Sequence, residues 1–451
     1  MASYRPISNL SFLSKTLERL VATRFVQHAE AHRLLPSRQS SYRANHSTET
    51  AVVSVHNNIV RAIDDGKVSL LVLLDLSAAF DTVNHDILFR VLENRFSLSG
   101  VALEWFKSYL ADRTQTFQVG SVTSGPYHVT SGVPQGSVLG PQEFIAYTED
   151  IAGLFETQKT EYHLYADDIQ LAANAYPTNV APAVHRLQQC IKDVCQWCIS
   201  RRLQLNPAKT EVIWFGTNAG LKKLNGADIQ LHVADATIQP VSVVRYLGVW
   251  LDSELAMKTH INKVVSVCFY QLRRLKQVRH MIDQQTAVNL VVSLVLTRLD
   301  YCNAIYAGLP RSTIAGLQRV QNAAARLVAR KGPRDHTTPV LHSLHWLPVD
   351  YRIKFKLCLL MHLIHIGRSP SYLKEIVQLT AGLPNRRRLR SADSQRYELP
   401  KLDLKFGERA FSYAGPAAWN NLPPSLHLLS ATGIFKRQLK THFFSLAFSS
   451  V

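Results

Sequence analysis

The sequence predicts an α+β protein in which a sheet-bearing part, residues 1–255, is followed by an almost wholly helical remainder. Strand-like and helix-like periodicities alternate up to about Leu255, after which long amphipathic helical patterns cover 260–281, 284–298, 312–330 and 350–366. The charge changes at the same place. Residues 1–255 hold 22 Lys/Arg and 24 Asp/Glu, a net of −2, whereas residues 256–451 hold 29 and 9, a net of +20. A chain of 451 residues, 46% hydrophobic and 19% charged, has material for several domains and a substantial core. The expected division is 1–255, a helical 256–366, and 367–451 as a basic linker with a C-terminal segment.

No apolar run approaches the roughly 20 residues needed to cross a bilayer. The nearest, Val288 to Leu296, is too short, and the N-terminal MASYRPISNL lacks a secretory signature. Six cysteines form no disulfide framework, which points to a reduced intracellular setting. Cys195 and Cys198 form a C-x-x-C with no second pair at suitable spacing, which speaks against zinc. Cys358, His362 and His365 share a helical face within an apolar stretch, where core packing is favoured over a metal. The excess of twenty positive charges calls for a polyanion, nucleic acid rather than membrane, because the basic helices carry no dedicated anchor.

In chain order, residues 5–34 read as a loop and an amphipathic helix with Leu13, Leu17, Leu20, Val21 and Phe25 as its apolar stripe. Ser47 caps the next helix, with Thr50 in a capping-box position. Arg43 and His46 precede that helix start, where anions are readily bound; an ion pair is the alternative for Arg43. Val68 to Leu74 (VSLLVLL) is an apolar run expected of a strand buried on both faces, and it ends in Asp75. An acid at such a strand end needs a partner. Asp81 is expected to cap the following helix and Asp86 to lie on its surface. Alternation over 105–131 predicts a hairpin. In GVPQGSVLGP (132–141), glycines around Gln135 let the backbone approach a flat or phosphorylated ligand, and Ser137 can cap the next helix. A helix over 181–201, a turn at Asn206-Pro207 with Lys209, a strand, a loop-rich 216–240 and a hairpin edge at 243–252 follow. Residues 367–400, with the RRRLR run at 386–390, read as a linker before a last helix over 431–447.

The chemistry gathers on His163 to Leu171, HLYADDIQL, which alternates like two strands of a tight hairpin around Asp167-Asp168. Adjacent carboxylates repel, so in a dry site one loses its charge unless a cation holds both. A surface turn is the bland alternative, but the apolar flanks favour a pair held on a sheet. With Asp75, these acids form an all-oxygen donor set suited to Mg²⁺. Two such ions support in-line displacement at phosphorus, as in a nuclease or a polymerase. The basic helical half and the Gln135 loop tilt the reading towards a polymerase.

These segments carry a family resemblance through nearly the whole chain. RPISNLSFLSKTLERLV and SYRANHSTETA are similar to the opening fingers motifs of the reverse transcriptases of non-LTR (LINE-type) retrotransposons, particularly the CR1/L2/jockey-like groups. LDLSAAFDTVNHDIL resembles their first catalytic motif, GVPQGSVLGP the second, YADD the third, NPAKTE the fourth and RYLGVWLD the primer grip. The resemblance implies a right-hand polymerase: fingers and palm in 1–255, with a mixed or antiparallel palm sheet packed on helices, then an all-α thumb in 256–366. It implies that Asp75, Asp167 and Asp168 hold two Mg²⁺ ions, with Mn²⁺ as the alternative and the Leu76 carbonyl assisting. Phe80 would exclude a ribose 2′-hydroxyl, and Gln135 and Gly136 would line the nucleotide and template pocket. Arg43 would contact the triphosphate, and Lys209 would give a proton to the leaving pyrophosphate. Tyr246, Leu247 and Gly248 would cradle the primer end, and the thumb would clasp the heteroduplex through its phosphates.

The implied activity is RNA-directed DNA synthesis on an RNA template, from a DNA primer or target DNA, with dNTPs. Gln142-Glu143-Phe144 departs from the family's Leu-Leu-Phe. The sequence begins at the first fingers motif, so the family's endonuclease domain and closing CCHC knuckle are expected to be absent. The nick would then come from a missing upstream domain or another chain, and the sequence reads as a fragment or truncated element copy. Target-primed insertion implies a nuclear as well as cytoplasmic location, to which Arg386 to Arg390 lends weak support. The competing readings are a catalytically idle or domesticated nucleic-acid-binding relic, and RNA-directed RNA synthesis, against which Phe80 argues.

Overall fold

The computed structural model describes residues 6–224, 229–380 and 395–449. The Arg386 to Arg390 run lies outside them. The organising element is a four-stranded antiparallel sheet, ordered Glu161–Tyr165, Asp168–Ala175, Val68–Leu74, Glu211–Phe215. Val68–Leu74 is central, as its uninterrupted apolar run requires: Val68, Leu70, Val72 and Leu74 enter one core and Leu71 the other. The first core is completed by the N-terminal helices and Ala181–Ser200. The second is shared by Leu71, Ile213 and Phe215 with the helix Thr48–Asp64 and the C-terminal helices as far as Phe448. The divisions expected near 255 and 366 both fall within this second, continuous core.

Helices beyond Leu255 follow their predicted patterns, at Lys258–Val278, Gln284–Val291, Arg311–Val328 and Val349–His365. On the first, Leu272 and Leu275 are buried while Arg273, Arg274 and Lys276 face solvent. His362 is buried and stacks on Phe435 at 4.0 Å. Among the described residues no group of three His, Cys, Asp or Glu side chains is spaced to hold a metal, and no helix is long and apolar enough to cross a membrane.

Helix Thr48–Asp64 is buried on almost every side, and its polar residues explain why. Ser47 and Thr50 form the expected capping box. Thr50, Asn57 and Asp64, spaced by two turns, are each buried and each bonded to the C-terminal segment. Thr50 Oγ1 meets Tyr372 Oη at 2.8 Å, Asn57 Oδ1 accepts from Ser412 N at 2.9 Å, and Asp64 Oδ1 accepts from Leu404 N at 2.9 Å. One line of polar side chains thus acts as a rail on which Tyr372, Leu404 and Ser412 seat.

Four local expectations change. The stripe expected on Phe12–Ala31 faces solvent at Leu13, Leu17 and Leu20, and the buried face is Glu18, Ala22, Phe25 and Ala29. Glu18 can be buried because its Oε2 accepts from the backbone N–H of Val138 at 2.6 Å and of Leu139 at 3.3 Å. Ser137, expected to cap the following helix, shares that work by accepting from Gly140 N at 2.9 Å. The hairpin expected over 105–131 begins only at Thr114, because Gly100–Leu110 is helical with Leu103, Phe106 and Leu110 buried. Asp81 caps nothing: Asn84 caps His85–Asn94, and Asp81 turns to Gln135 instead. Within the expected linker, Tyr372 and Leu373 are buried.

Candidate active site

The strand register brings the acids to one end of the sheet. Leu74 pairs with Ile169 as the last pair of the antiparallel ladder, so Asp75 leaves its strand at the end where Asp168 begins the neighbouring one. Tyr165 pairs with Asp168, leaving Ala166 and Asp167 as a two-residue turn. Ala166 has φ +56°, a conformation that costs an L-residue about 1–2 kcal/mol. Its N–H donates to Gln39 Oε1 at 3.2 Å. Asp75 is held from its other side: its carbonyl accepts from Asn206 N at 2.8 Å, and its Oδ2 faces Lys209 Nζ at 3.2 Å. The neighbouring Leu76 bridges to Leu205, and Ser77 N donates to Gln204 O at 2.8 Å.

Charge at this edge is in excess. The Asp168 side chain reaches solvent, yet desolvation by the protein around it, then Asp167 and Asp75, push its carboxyl up to about 6, with Lys209 opposing. The acids share an edge without closing into a ligand cluster, and Asp75 is held by the Lys209 ammonium. Carboxylates alone, on an open edge, fit a hard divalent cation that keeps water or substrate oxygens in its other positions.

Around the acids, Phe80 stacks on Phe144 with ring centres 4.5 Å apart, and its carbonyl accepts from Val133 N at 2.8 Å. That bond ties Phe80 to the loop carrying Gln135, whose Nε2 donates to Asp81 Oδ1 at 2.7 Å. Gly136 has φ +88° with open space where a Cβ would lie, so this backbone is accessible to a ligand. Tyr246, Leu247 and Gly248 form the turn between Val243–Tyr246 and Val249–Asp252. Tyr246 is buried, and burial, reinforced by Tyr372 and Asp168, holds its phenol well above the usual range.

Arg43 differs from expectation. Its Nε and Nη2 pair with both Glu30 carboxylate oxygens at 2.7 and 2.8 Å, and its Nη1 bonds the carbonyls of Pro36 and Gln39. A guanidinium committed in this way braces the 36–39 loop rather than offering itself to a triphosphate; the ion pair is the arrangement found.

Residues 1–251 match the family described as reverse transcriptase (RNA-dependent DNA polymerase). The chain belongs to the reverse transcriptase family. It is 31% identical over 337 residues to a probable RNA-directed DNA polymerase from transposon BS of Drosophila melanogaster. It is 27% identical over 336 residues to the RNA-directed DNA polymerase from mobile element jockey of Drosophila funebris. Each match covers 72% of this chain and 36% of the relative, so the chain spans about a third of their length. The resemblance to jockey-like elements read from the motifs is borne out. A telomerase from Candida albicans, solved with a telomeric RNA fragment, is 12% identical, covers 78% of this chain and 58% of its own, and has a TM-score of 0.36.

Three residues of this candidate site gave no local sign of the partners they have in the fold. Gln39, Asp81 and Tyr301 act through partners far along the chain: the Ala166 amide, the Gln135 amide and the Leu247 carbonyl, the last at 2.6 Å from Tyr301 Oη. Leu247 and Gly248, at φ +43° and +84°, make the turn that matches strand twist. A Cβ on Gly248 would lie 3.4 Å from the Tyr301 ring. Gly248→Ala is therefore expected to destabilise the protein by about 1–2 kcal/mol, read from urea unfolding.

Proposed function

We propose that this chain is an RNA-directed DNA polymerase of a non-LTR retrotransposon, extending a DNA 3′-hydroxyl along an RNA template with deoxynucleoside triphosphates. One observation carries the reading: in a reverse transcriptase family member, Asp75 follows the Leu74–Ile169 pair and, with Asp167, is close enough to Asp168 to disfavour its ionisation, while Lys209 contacts Asp75. Asp75, Asp167 and Asp168, with the Leu76 carbonyl, would hold two Mg²⁺ ions. When bound, these would favour ionisation of the attacking hydroxyl and offset charge on the leaving phosphates.

The protein's own groups have separate tasks. Lys209 would release Asp75 and hand a proton to the departing pyrophosphate. Gln135, oriented by Asp81, and Gly136 would line the nucleotide and template pocket. The Tyr246–Gly248 turn would seat the primer end, and the exposed basic residues after Leu255 would contact backbone phosphates. The sheet, the preceding helices and the later helices would be palm, fingers and thumb of a right hand.

The test is primer extension on an RNA template by the purified chain. Extension with dNTPs supports the reading; salt-sensitive RNA binding without extension favours a domesticated binding protein. Phe80 gives a sharper check, since its ring, stacked on Phe144, would leave no room for a 2′-hydroxyl on the incoming sugar. Phe80→Ala is expected to raise incorporation of ribonucleotides relative to deoxyribonucleotides by about tenfold, the scale of one steric contact. An unchanged ratio would remove Phe80 from sugar selection.

A further inference from the structure

Tyr372 comes from the C-terminal segment, 205 residues beyond Asp167 in number, yet its ring contacts His163, on the strand that leads into the candidate catalytic turn. Its side chain is buried, with Oη 2.7 Å from Ser40 Oγ and 2.8 Å from Thr50 Oγ1. Its ring meets His163 edge-on at 4.9 Å and His46 at 5.8 Å. Ser40 Oγ also bonds His163 Nε2 at 2.8 Å, on the strand that leads into Asp167-Asp168.

Residues 38–41 run beside that strand as an extra sheet edge. Leu164 N donates to Arg38 O at 3.0 Å, Ser40 N donates to Leu164 O at 2.9 Å, and Gln39 bridges Leu164 in parallel. This edge delivers Gln39 Oε1 to the Ala166 N–H at 3.2 Å, and the same oxygen accepts from Ser41 N at 3.0 Å. Ala166 is the strained member of the turn, so it needs an outside bond to hold the two acids in place. Tyr372 closes the chain of contacts: Oη fixes Ser40, the adjacent Gln39 fixes Ala166, and Ala166 sets the turn that carries Asp167 and Asp168.

We infer that Tyr372 is a positioning residue for the catalytic turn, acting through Ser40 and Gln39, so that the C-terminal segment is a working part of the polymerase. The inference rests on the proposed activity only for its kinetic readout. Tyr372→Phe removes the hydroxyl and keeps the ring, while the Asn57–Ser412 and Asp64–Leu404 bonds keep the segment seated.

The experiment pairs amide hydrogen exchange with single-nucleotide kinetics on the full chain. In Tyr372→Phe, exchange across residues 163–171 should quicken and kcat should fall about fivefold, the effect of one hydrogen bond. The dNTP KM and primer–template affinity should stay as in the parent, so that the loss falls on kcat, a split that general loosening of the fold would not give. Gln39→Leu should quicken the same amides, and the double variant should add little to either single change. Unchanged exchange over 163–171 in Tyr372→Phe overturns the inference, whatever the activity does. A parent chain that extends no primer overturns the polymerase reading instead and leaves the exchange measurement to decide this one.

Discussion

Asp168→Asn should reduce primer extension by about 10³-fold while leaving the fold intact, because it removes several kcal/mol of charge stabilisation and almost no volume. The hairpin does not depend on the carboxylate: Asp168 pairs with Tyr165 through its backbone. The variant also deletes one of the like charges that crowd this edge, where Asp167 and Asp75 disfavour ionisation of Asp168. The metal-free protein should therefore be no less stable than its parent in thermal unfolding. Asp167→Asn should behave alike in extension. Equal extension by parent and variants would separate the acids from the chemistry. Loss of activity together with a collapsed thermal midpoint would mean that the acids serve the fold.

Glu143→Leu should stabilise the protein, and the gain should grow with pH. Glu143 sits in Gly140–Tyr147, 1% exposed, and neither carboxylate oxygen has a hydrogen-bond partner. Burial pushes its carboxyl up to about 8, with Glu18 adding to the rise and Arg113 opposing it. Since the folded pKa lies above the unfolded one, the favourable contribution is full below the ordinary carboxylate range. It is lost as pH rises towards 8, because folding must then take up a proton. Between pH 5 and pH 7.5 the parent should lose roughly 3 kcal/mol relative to Glu143→Leu, at about 1.4 kcal/mol per pH unit. Asp168 titrates in both proteins, so the difference between their stability–pH curves isolates Glu143. Parallel curves from urea unfolding would show that the carboxyl is hydrated and ordinary. The departure from Leu-Leu-Phe thus lies away from the acids but has an expected price in stability.

Local patterns carried much of this molecule. Period-two alternation located the strands on either side of Asp167-Asp168, and the apolar run VSLLVLL identified the central strand ending in Asp75. Both signals arise from neighbouring residues and the solvent each faces, so they survive without tertiary information. The later helices were legible for the same reason: buried Leu272 and Leu275 beside exposed Arg273 and Arg274 form a helical period.

Polar side chains whose partners are distant in sequence were not legible. Glu18 looked like the wet side of its helix, yet two backbone N–H groups about 120 residues away make it the buried side. Arg43 looked available to an anion and is taken by Glu30. Asp81 looked like a cap and orients Gln135, while Tyr372 looked like part of a linker and meets His163 on the strand that leads into the turn. The sequence by itself determined which segments become strands and helices, which acids end on strands, and the family to which they belong. Only the tertiary structure decided which buried polar groups are satisfied and by whom. A hydrogen bond between residues hundreds of positions apart depends on the placement of both backbones, and neither end carries a periodic signature of the other.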